Sequence, residues 1–152
     1  MAEFAITGGI GSGKSTVASA LETRGAKLVD ADEVVRELQR PNGEVFTNLV
    51  QAFGEIIISD DGQLNRQKLA DIAFSDPADL EKLNKIVHPA VGKEMAKRRD
   101  AFKRQGHIVL VDIPLLVTPE GNLARKEYND FTGKIVVDCD EEIAVSRLLK
   151  FR

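Results

Sequence analysis

Residues Thr7–Thr16 read T-G-G-I-G-S-G-K-S-T, and this short stretch decides the fold. Four of its ten residues are glycine, and it ends in a lysine followed by two hydroxyl side chains. Glycine loses more conformational freedom on folding than any other residue, so a glycine cluster costs stability unless the backbone requires it. The stretch therefore predicts a loop whose backbone is itself a binding group.

The segments on both sides of this loop predict a strand and a helix. Phe4–Ile6 is a short apolar run, which is typical of a buried parallel strand. Apolar residues then follow at helical spacing as far as Leu21, and Gly25 is expected to cap the helix. Lys27–Asp30 predicts a second strand, so the chain opens with a βαβ unit and a parallel sheet.

Two later segments, Ile108–Ile113 and Lys134–Asp138, predict further buried strands because they are rich in β-branched residues. The intervening stretch has helical periodicity and is too long for a simple crossover connection. Within it, Pro89 is expected to open a last helix that ends at Gly106. We therefore expect a nucleotide-binding core of residues 1–32 and 107–152, with a largely helical subdomain at 33–106.

Length and charge narrow the function classes. The 152 residues suit one main domain, and a net charge of −3 argues against a nucleic-acid surface. Cys139 is the only cysteine, and no apolar run is long enough for a secretion signal or a membrane span. We expect a cytoplasmic protein without a membrane partner, and the sequence does not indicate its oligomeric state.

From Gly8 onward the loop matches G-x-x-x-x-G-K-[ST], the P-loop pattern, in the required context between a strand and a helix. Its backbone N–H groups are expected to hold the phosphates of ATP, with Lys14 on the β and γ phosphates and Ser15 on Mg²⁺. The alternative is a glycine-rich turn with a solvated Lys14. The predicted ATP-binding residues of the loop are Gly9, Gly11, Ser12, Gly13, Lys14, Ser15 and Thr16.

Carboxylates follow two of the predicted strands. Asp30 and Asp32 end the second strand, where a carboxylate can take a proton from an attacking hydroxyl. One of the two can instead cap the next helix. Arg36, one turn later, is a candidate for neutralising substrate phosphate, or else belongs to a solvated helix face. Asp112 ends the third strand and is a candidate magnesium ligand, with a plain strand-end residue as the equal alternative.

Several motifs together resemble the dephospho-CoA kinase family, which phosphorylates the ribose 3′-hydroxyl of dephospho-CoA with ATP. In chain order they are T-G-G-I-G-S-G-K-S-T-V-A, V-D-A-D-E-V-V-R-E-L, D-G-Q-L-N-R-Q-K-L, L-N-K-I-V-H-P and D-I-P-L-L. The resemblance covers nearly the whole chain. It implies a three-layer α/β P-loop NTPase fold with a parallel sheet, of the nucleoside-monophosphate-kinase type, with a helical substrate-binding insertion.

The resemblance also implies roles for individual residues. Asp32 matches the family's catalytic base, with Lys14 as the catalytic cation, and Arg147 resembles an arginine that contacts ATP phosphates. Asp30 remains a substrate-binding candidate, and an exposed surface cation is the alternative for Arg147. The other implied acceptor contacts are Arg36, Arg66, His88, Pro89, Leu115 and Leu116. Capping of a helix end is an equal alternative for His88, and core packing is the stronger alternative for Leu115 and Leu116.

The sequence departs from the family in two places. After D-I-P-L-L the family has an aromatic residue and an acid, where this chain has Val117-Thr118-Pro119-Glu120, so acceptor contacts in 117–133 stay unassigned. The family also continues beyond Arg152 with a lid and a terminal segment, so we expect a fragment and leave open the activity of this chain alone. Another small-molecule P-loop kinase and a nucleotide-binding module without transfer activity are the alternative functions.

Overall fold

The structure is a computed structural model that describes residues 2–9, 11–113 and 130–150. A 3-10 turn, Glu55–Ile57, follows the third helix. In chain order the helices and strands are β1 Glu3–Gly8, α1 Lys14–Thr23, β2 Lys27–Asp30, α2 Ala31–Leu38, α3 Glu44–Phe53, α4 Arg66–Ser75, α5 Pro77–Arg104, β3 Val109–Asp112, β4 Gly133–Val137 and α6 Glu141–Lys150.

The described strands form one parallel sheet in the order β2-β3-β1-β4. β1 lies between β3 and β4, which places Ile6 beside Asp112 and Gly8 beside Val137. Asp30 at the end of β2 lies beside Asp112. The predicted parallel α/β fold is confirmed, and polar residues gather where the strands end.

The chain divides into two compact units. The sheet unit comprises the described residues of Met1–Ala31 and Arg98–Arg152, and the helical unit comprises Asp32–Lys97. Strand residues such as Ile6 and Leu110 form the core of the sheet unit. The helical unit has its own apolar core, made by Val45, Leu49, Ile57, Leu69 and Val87. The functional assignment of 33–106 as an acceptor-binding subdomain stays a prediction.

The unit boundary falls inside α5, and ion pairs tie the end of this helix to β1. Glu3 accepts a hydrogen bond from Arg99 Nε and another from Lys103 Nζ, each at 2.6 Å. Burial opposes the charge on Glu3, but these bonds and the two positive charges outweigh it, so the pKa of the Glu3 carboxyl lies below its ordinary value. The bond from Lys103 to Glu3 likewise raises the pKa of the lysine.

The prediction that Pro89 opens a new helix is wrong, because Pro89 lies inside the 28-residue helix α5. A proline within a helix costs about 3 kcal/mol relative to alanine, since it removes a backbone hydrogen bond. Apolar residues continue at helical spacing on both sides of it, and packing of this face outweighs that cost. Val87 is part of the buried core of the helical unit, and the partly buried residues that pack against this core are Leu83, Ile86, Ala90 and Val91.

Glycines end two helices as the sequence predicts. Gly25 has φ +101° after α1, and its N–H donates to Glu22 O at 2.9 Å. Gly106 has φ +81° after α5, and its N–H donates to Lys103 O at 3.0 Å. In the described part of the chain, no helix has the length and apolar character needed to cross a bilayer.

Candidate active site

The phosphate loop, Gly8–Ser15, connects the end of β1 to the start of α1. Gly11 and Gly13 have φ values of +77° and +95°, in the left-handed region that favours glycine. A Cβ atom at Gly11 would also lie only 2.7 Å from the carbonyl oxygen of Ala144 in α6. The loop therefore requires glycine, and it leads into a helix N-terminus whose first N–H groups have no partner within the helix.

A lysine and an aspartate meet beside this loop. Lys14 Nζ lies 2.7 Å from Asp112 Oδ1, and the two side chains are 19% and 14% exposed. Asp30, half-buried, lies next to Asp112 in the sheet register. The structure thus brings together three sequence-predicted residues, Lys14, Asp30 and Asp112, at the carboxyl ends of neighbouring strands. Open α/β sheets bind their ligands at this edge.

Helix α6 also contacts the phosphate loop, at Gly11. Arg147 Nη1 donates a hydrogen bond to Gly11 O at 3.0 Å, and Cys139 Sγ lies 3.6 Å from the same oxygen. Arg147 is itself exposed to solvent. The backbone of the phosphate loop therefore holds the Arg147 guanidinium beside the loop. This position suits a cation that contacts phosphate groups. Its contact with ATP stays a prediction.

The predicted magnesium ligands fit that ion by their chemistry. Ser15 is exposed in the first turn of α1, and Asp112 supplies a carboxylate at the end of β3. Mg²⁺ prefers oxygen ligands and often takes only one or two protein groups beside substrate phosphates. Among the described residues, no cluster of three or more His, Cys, Asp or Glu side chains could hold a metal. A magnesium ion here would depend on phosphate oxygens for the rest of its coordination.

The predicted acceptor residues that the structure describes lie on the helical unit, except Asp30. Asp32 is exposed in the first turn of α2, and Arg36 is exposed in its last turn. Arg66 begins α4, directly after Asn65, whose side chain accepts a hydrogen bond from Lys68 N at 3.0 Å. Arg36 and Arg66 line the same cleft of about 280 Å³. We call it the arginine cleft, and its lining residues are Arg36, Gln39, Arg40, Gln63, Leu64 and Arg66.

His88 and Pro89 lie elsewhere on the helical unit. Both are exposed in the middle of α5 and line a separate open depression along that helix. The alternative that His88 caps a helix end is wrong, because eleven residues of α5 precede it and sixteen follow it between Pro77 and Arg104. Its contact with the acceptor stays a prediction. Leu115 and Leu116, like the unassigned loop Val117–Asn129, lie outside the described residues.

Sequence reasoning missed Arg40 in the arginine cleft. Arg40 lies in the turn between α2 and α3, four residues after Arg36. That spacing was a usable signal, because residues four apart lie on the same side of a continuing helical turn. The pairing of Lys14 with Asp112 was also missed. The two residues lie 98 positions apart, and only the sheet order brings them together.

The fold and the loop together define a class of protein: an α/β P-loop NTPase with a phosphate loop after its first strand. Comparison with known proteins then narrows the class. The sequence profile of the family described as "Dephospho-CoA kinase" matches residues 3–152. The chain belongs to the dephospho-CoA kinase family.

Individual relatives agree with that assignment. The chain is 40% identical to the dephospho-CoA kinase of Thermobifida fusca (strain YX), over 97% of this chain and 70% of that protein. It is 44% identical to the dephospho-CoA kinase of Shouchella clausii (strain KSM-K16), over 95% of this chain and 71% of the relative. In both comparisons the match includes nearly all of the present sequence.

Solved structures have the same fold. The "Crystal structure of TT1252 from Thermus thermophilus" superposes with a TM-score of 0.78 at 30% identity, covering 98% of this chain and 71% of the other. The structure described as "Dephospho-CoA kinase from Campylobacter jejuni" has a TM-score of 0.67 at 21% identity, covering 88% and 64%. At 21% identity, the similarity to the Campylobacter jejuni structure shows the fold alone. That fold is the same as in the Thermus thermophilus structure.

Proposed function

We propose that this chain transfers the γ-phosphoryl group of ATP to the ribose 3′-hydroxyl of dephospho-CoA, giving coenzyme A and ADP. The strongest support is the family match over residues 3–152, joined to a P-loop that lies between β1 and α1. The alternatives, another small-molecule kinase and a module without transfer activity, are not favoured by these relatives. We place the reaction in the cytoplasm.

The donor side of the reaction depends on the phosphate loop. Backbone N–H groups at the start of α1 bind phosphate oxygens, since they have no acceptor inside the helix. Lys14, which is paired with Asp112 at 2.7 Å, supplies a positive charge for the transferring phosphoryl group. Asp112, the partner of Lys14 in this pair, would also be available as a metal ligand when Lys14 contacts phosphate.

Ser15 and Asp112 would hold Mg²⁺, and the bound ion would neutralise charge on the phosphate oxygens. Arg147 adds a second cation on the α6 side of the loop, where its guanidinium already donates to Gly11 O. An arginine at such a position stabilises the negative charge that spreads over the oxygens during transfer. The chain thus carries cations on two sides of the phosphate loop.

The acceptor hydroxyl needs a proton acceptor, and we assign that role to Asp32. Its carboxylate is exposed in the first turn of α2, two residues beyond the end of β2. A carboxylate in hydrogen-bond reach of the hydroxyl orients it and takes its proton as the new bond to phosphorus forms. Asp30 is half-buried in the sheet beside Asp112, so we assign it to positioning at the strand ends rather than to proton transfer.

The test is a transfer assay with ATP and a panel of hydroxyl acceptors, in which mass spectrometry identifies the product. We expect phosphorylation of dephospho-CoA and none of its 3′-deoxy analogue, which differs only in the hydroxyl that accepts the phosphoryl group. Nucleoside monophosphates and pantetheine complete the panel. Preferred phosphorylation of one of these would favour the alternative kinase, and ATP binding without transfer to any acceptor would favour the binding module.

A further inference from the structure

The arginine cleft is a cationic site within the helical unit. Three of its six lining residues are arginines, two are glutamines, and none is acidic. The ion pairs found among the described residues do not include Arg36, Arg40 or Arg66. Three guanidinium groups around one cleft repel each other, so the arrangement favours binding of an anion that neutralises them.

Short hydrogen-bonded segments hold the cleft residues in place. The N–H of Arg40 donates to Glu37 O, and its carbonyl accepts from Gly43 N, each at 3.3 Å. On the other side, Leu64 forms a β-bridge with Ile58 and packs against the core of the helical unit. The backbone at Arg40 and at Leu64 is therefore anchored, while the guanidinium of Arg40 remains exposed. This limits the ordering cost of binding to the side chains.

The size of the cleft limits what it can take. Its volume of about 280 Å³ is slightly below the range of roughly 300–1,000 Å³ that is typical of pockets for drug-sized ligands. It therefore suits one polar group of a larger molecule rather than an entire nucleotide. Guanidinium groups bind phosphate oxygens in pairs, through two parallel N–H donors. Three arginines and two amides provide enough donors for a diphosphate.

We propose that the arginine cleft binds a diphosphate, that this group belongs to the acceptor, and that Arg40 is a specificity-determining residue for it. The inference rests on the proposed function, because dephospho-CoA carries a diphosphate between its ribose and its pantetheine arm. Binding this group holds the acceptor without taking part in the chemical step. Arg40 therefore acts on acceptor affinity and leaves the turnover rate unchanged.

The experiment measures kcat and both KM values for the wild type, Arg40→Gln, Arg40→Lys and the control Arg104→Gln. Arg104 is an exposed arginine at the end of α5, outside the cleft, so the control makes the same charge change. We expect Arg40→Gln to raise the KM for dephospho-CoA about 10–100-fold, as loss of charge-assisted hydrogen bonds does. Arg40→Lys should raise it less, while kcat and the KM for ATP stay at wild-type values.

Each other outcome overturns the proposal. A rise in the KM for ATP would assign the cleft to the donor, and an equal rise in Arg104→Gln would show a general charge effect. A fall in kcat at saturating acceptor would place Arg40 in the chemical step. An unchanged KM for dephospho-CoA in Arg40→Gln would leave the kinase function standing and remove the subsite.

A second measurement separates the subsite from the kinase function. Inorganic diphosphate is titrated calorimetrically into Lys14→Ala, which lacks the cation of the phosphate loop, and into the double variant Lys14→Ala/Arg40→Gln. We expect the second substitution to weaken diphosphate binding about tenfold or more. If dephospho-CoA is not phosphorylated but this difference persists, the kinase proposal fails while the anion site stands. Equal binding by the two proteins would contradict the site directly.

Discussion

The phosphate loop and the arginine cleft are both assigned to phosphate groups, yet they are built in opposite ways. The loop uses consecutive backbone N–H groups, and its glycines adopt left-handed conformations that place Gly11 tightly against α6. The cleft uses exposed side chains from three separate segments, the end of α2, the following turn and the start of α4. A site made of backbone groups can therefore be predicted from one stretch of sequence. A site made of dispersed side chains becomes visible only in the folded structure.

This difference predicts different consequences of mutation. In the loop, backbone geometry and charge depend on each other, so a substitution there changes both stability and the chemical step. In the cleft, each arginine is exposed and carries one part of the binding, so its loss changes affinity alone. Substitutions in the phosphate loop should therefore lower kcat, whereas substitutions in the arginine cleft should raise the KM for the acceptor.

The largest effect is expected for Lys14→Ala. Removing the cation from the transferring phosphoryl group should lower kcat about 10³–10⁵-fold, the range known for loss of a cation at such a transition state. A steady-state assay with ATP and dephospho-CoA measures it. Lys134→Ala is the control, because Lys134 is an exposed lysine of β4 in the same unit. Wild-type turnover in Lys14→Ala would contradict the P-loop assignment.

The next effect concerns the proton acceptor. Asp32→Asn keeps the shape of the side chain but loses its basicity, so kcat should fall about 10²–10⁴-fold. The dissociation constant for ATP, measured by calorimetry, should stay unchanged.

Asp30→Asn is the matched comparison for this prediction. Asp30 lies beside Asp112 in the sheet, so its replacement should affect phosphate and metal binding more than proton transfer. If Asp30→Asn lowers kcat while Asp32→Asn does not, the two roles are assigned the wrong way round.

The sequence predicted local features of the molecule well. The strand Lys27–Asp30 has the predicted bounds, and Ile108–Ile113 contains β3 with one extra residue at each end, because short apolar runs between polar residues define strands by themselves. Helix α3 was not singled out, although Val45, Leu49 and Phe53 follow helical spacing in it. The residues on both sides of α3 also have helical periodicity, so the sequence did not indicate where this helix begins and ends.

Long-range features were beyond the sequence for a physical reason. The pairing of Glu3 with Arg99 joins residues 96 positions apart, and nothing near either residue indicates the other. The failure at Pro89 has a different origin. Local propensity ends a helix before proline, but the buried face of α5 continues across it and packing prevails. Candidate site residues were therefore predicted where a motif is contiguous. Arg40 lies four residues after Arg36, but it was missed because the other side of the cleft, Gln63 to Arg66, is distant in the sequence.

A pair of glycine substitutions sharpens the comparison between a constrained and an unconstrained backbone. Gly11→Ala should lower the free energy of unfolding by about 1–3 kcal/mol, because φ is +77° and the new Cβ meets Ala144 O. Gly92→Ala, in the middle of α5 with no atom beyond the local helix backbone within 4 Å of the new Cβ, should raise it by about 0.5–1 kcal/mol. Urea denaturation measures both. If the two substitutions change the free energy of unfolding equally, the phosphate loop tolerates a side chain at Gly11 without strain, and this prediction is wrong.

The last effect is expected at the ion pairs between β1 and the end of α5, and it depends on pH. Glu3→Gln removes the charge that Arg99 and Lys103 contact at 2.6 Å. The two cations are 31% and 32% exposed, so solvent screens the pairs, and we expect a loss of about 1–2 kcal/mol at neutral pH. Because the pKa of Glu3 is lower in the folded protein than its ordinary value of 4.5, this contribution is complete above that value.

Below pH 4.5 the unfolded chain takes up the proton first, and the contribution disappears as the pH falls through the folded-state pKa. The wild type should therefore lose its advantage over Glu3→Gln as the pH falls from neutral through 4.5 and below, as measured by urea denaturation at a series of pH values. Glu81→Gln is the control. Its carboxylate also pairs with a lysine, Lys85 at 2.9 Å, but on an open helix face where both side chains are two-thirds exposed or more. Solvent screening there should leave stability nearly unchanged at every pH. A difference between wild type and Glu3→Gln that is constant with pH would mean that the side chain stabilises β1 by packing rather than by charge.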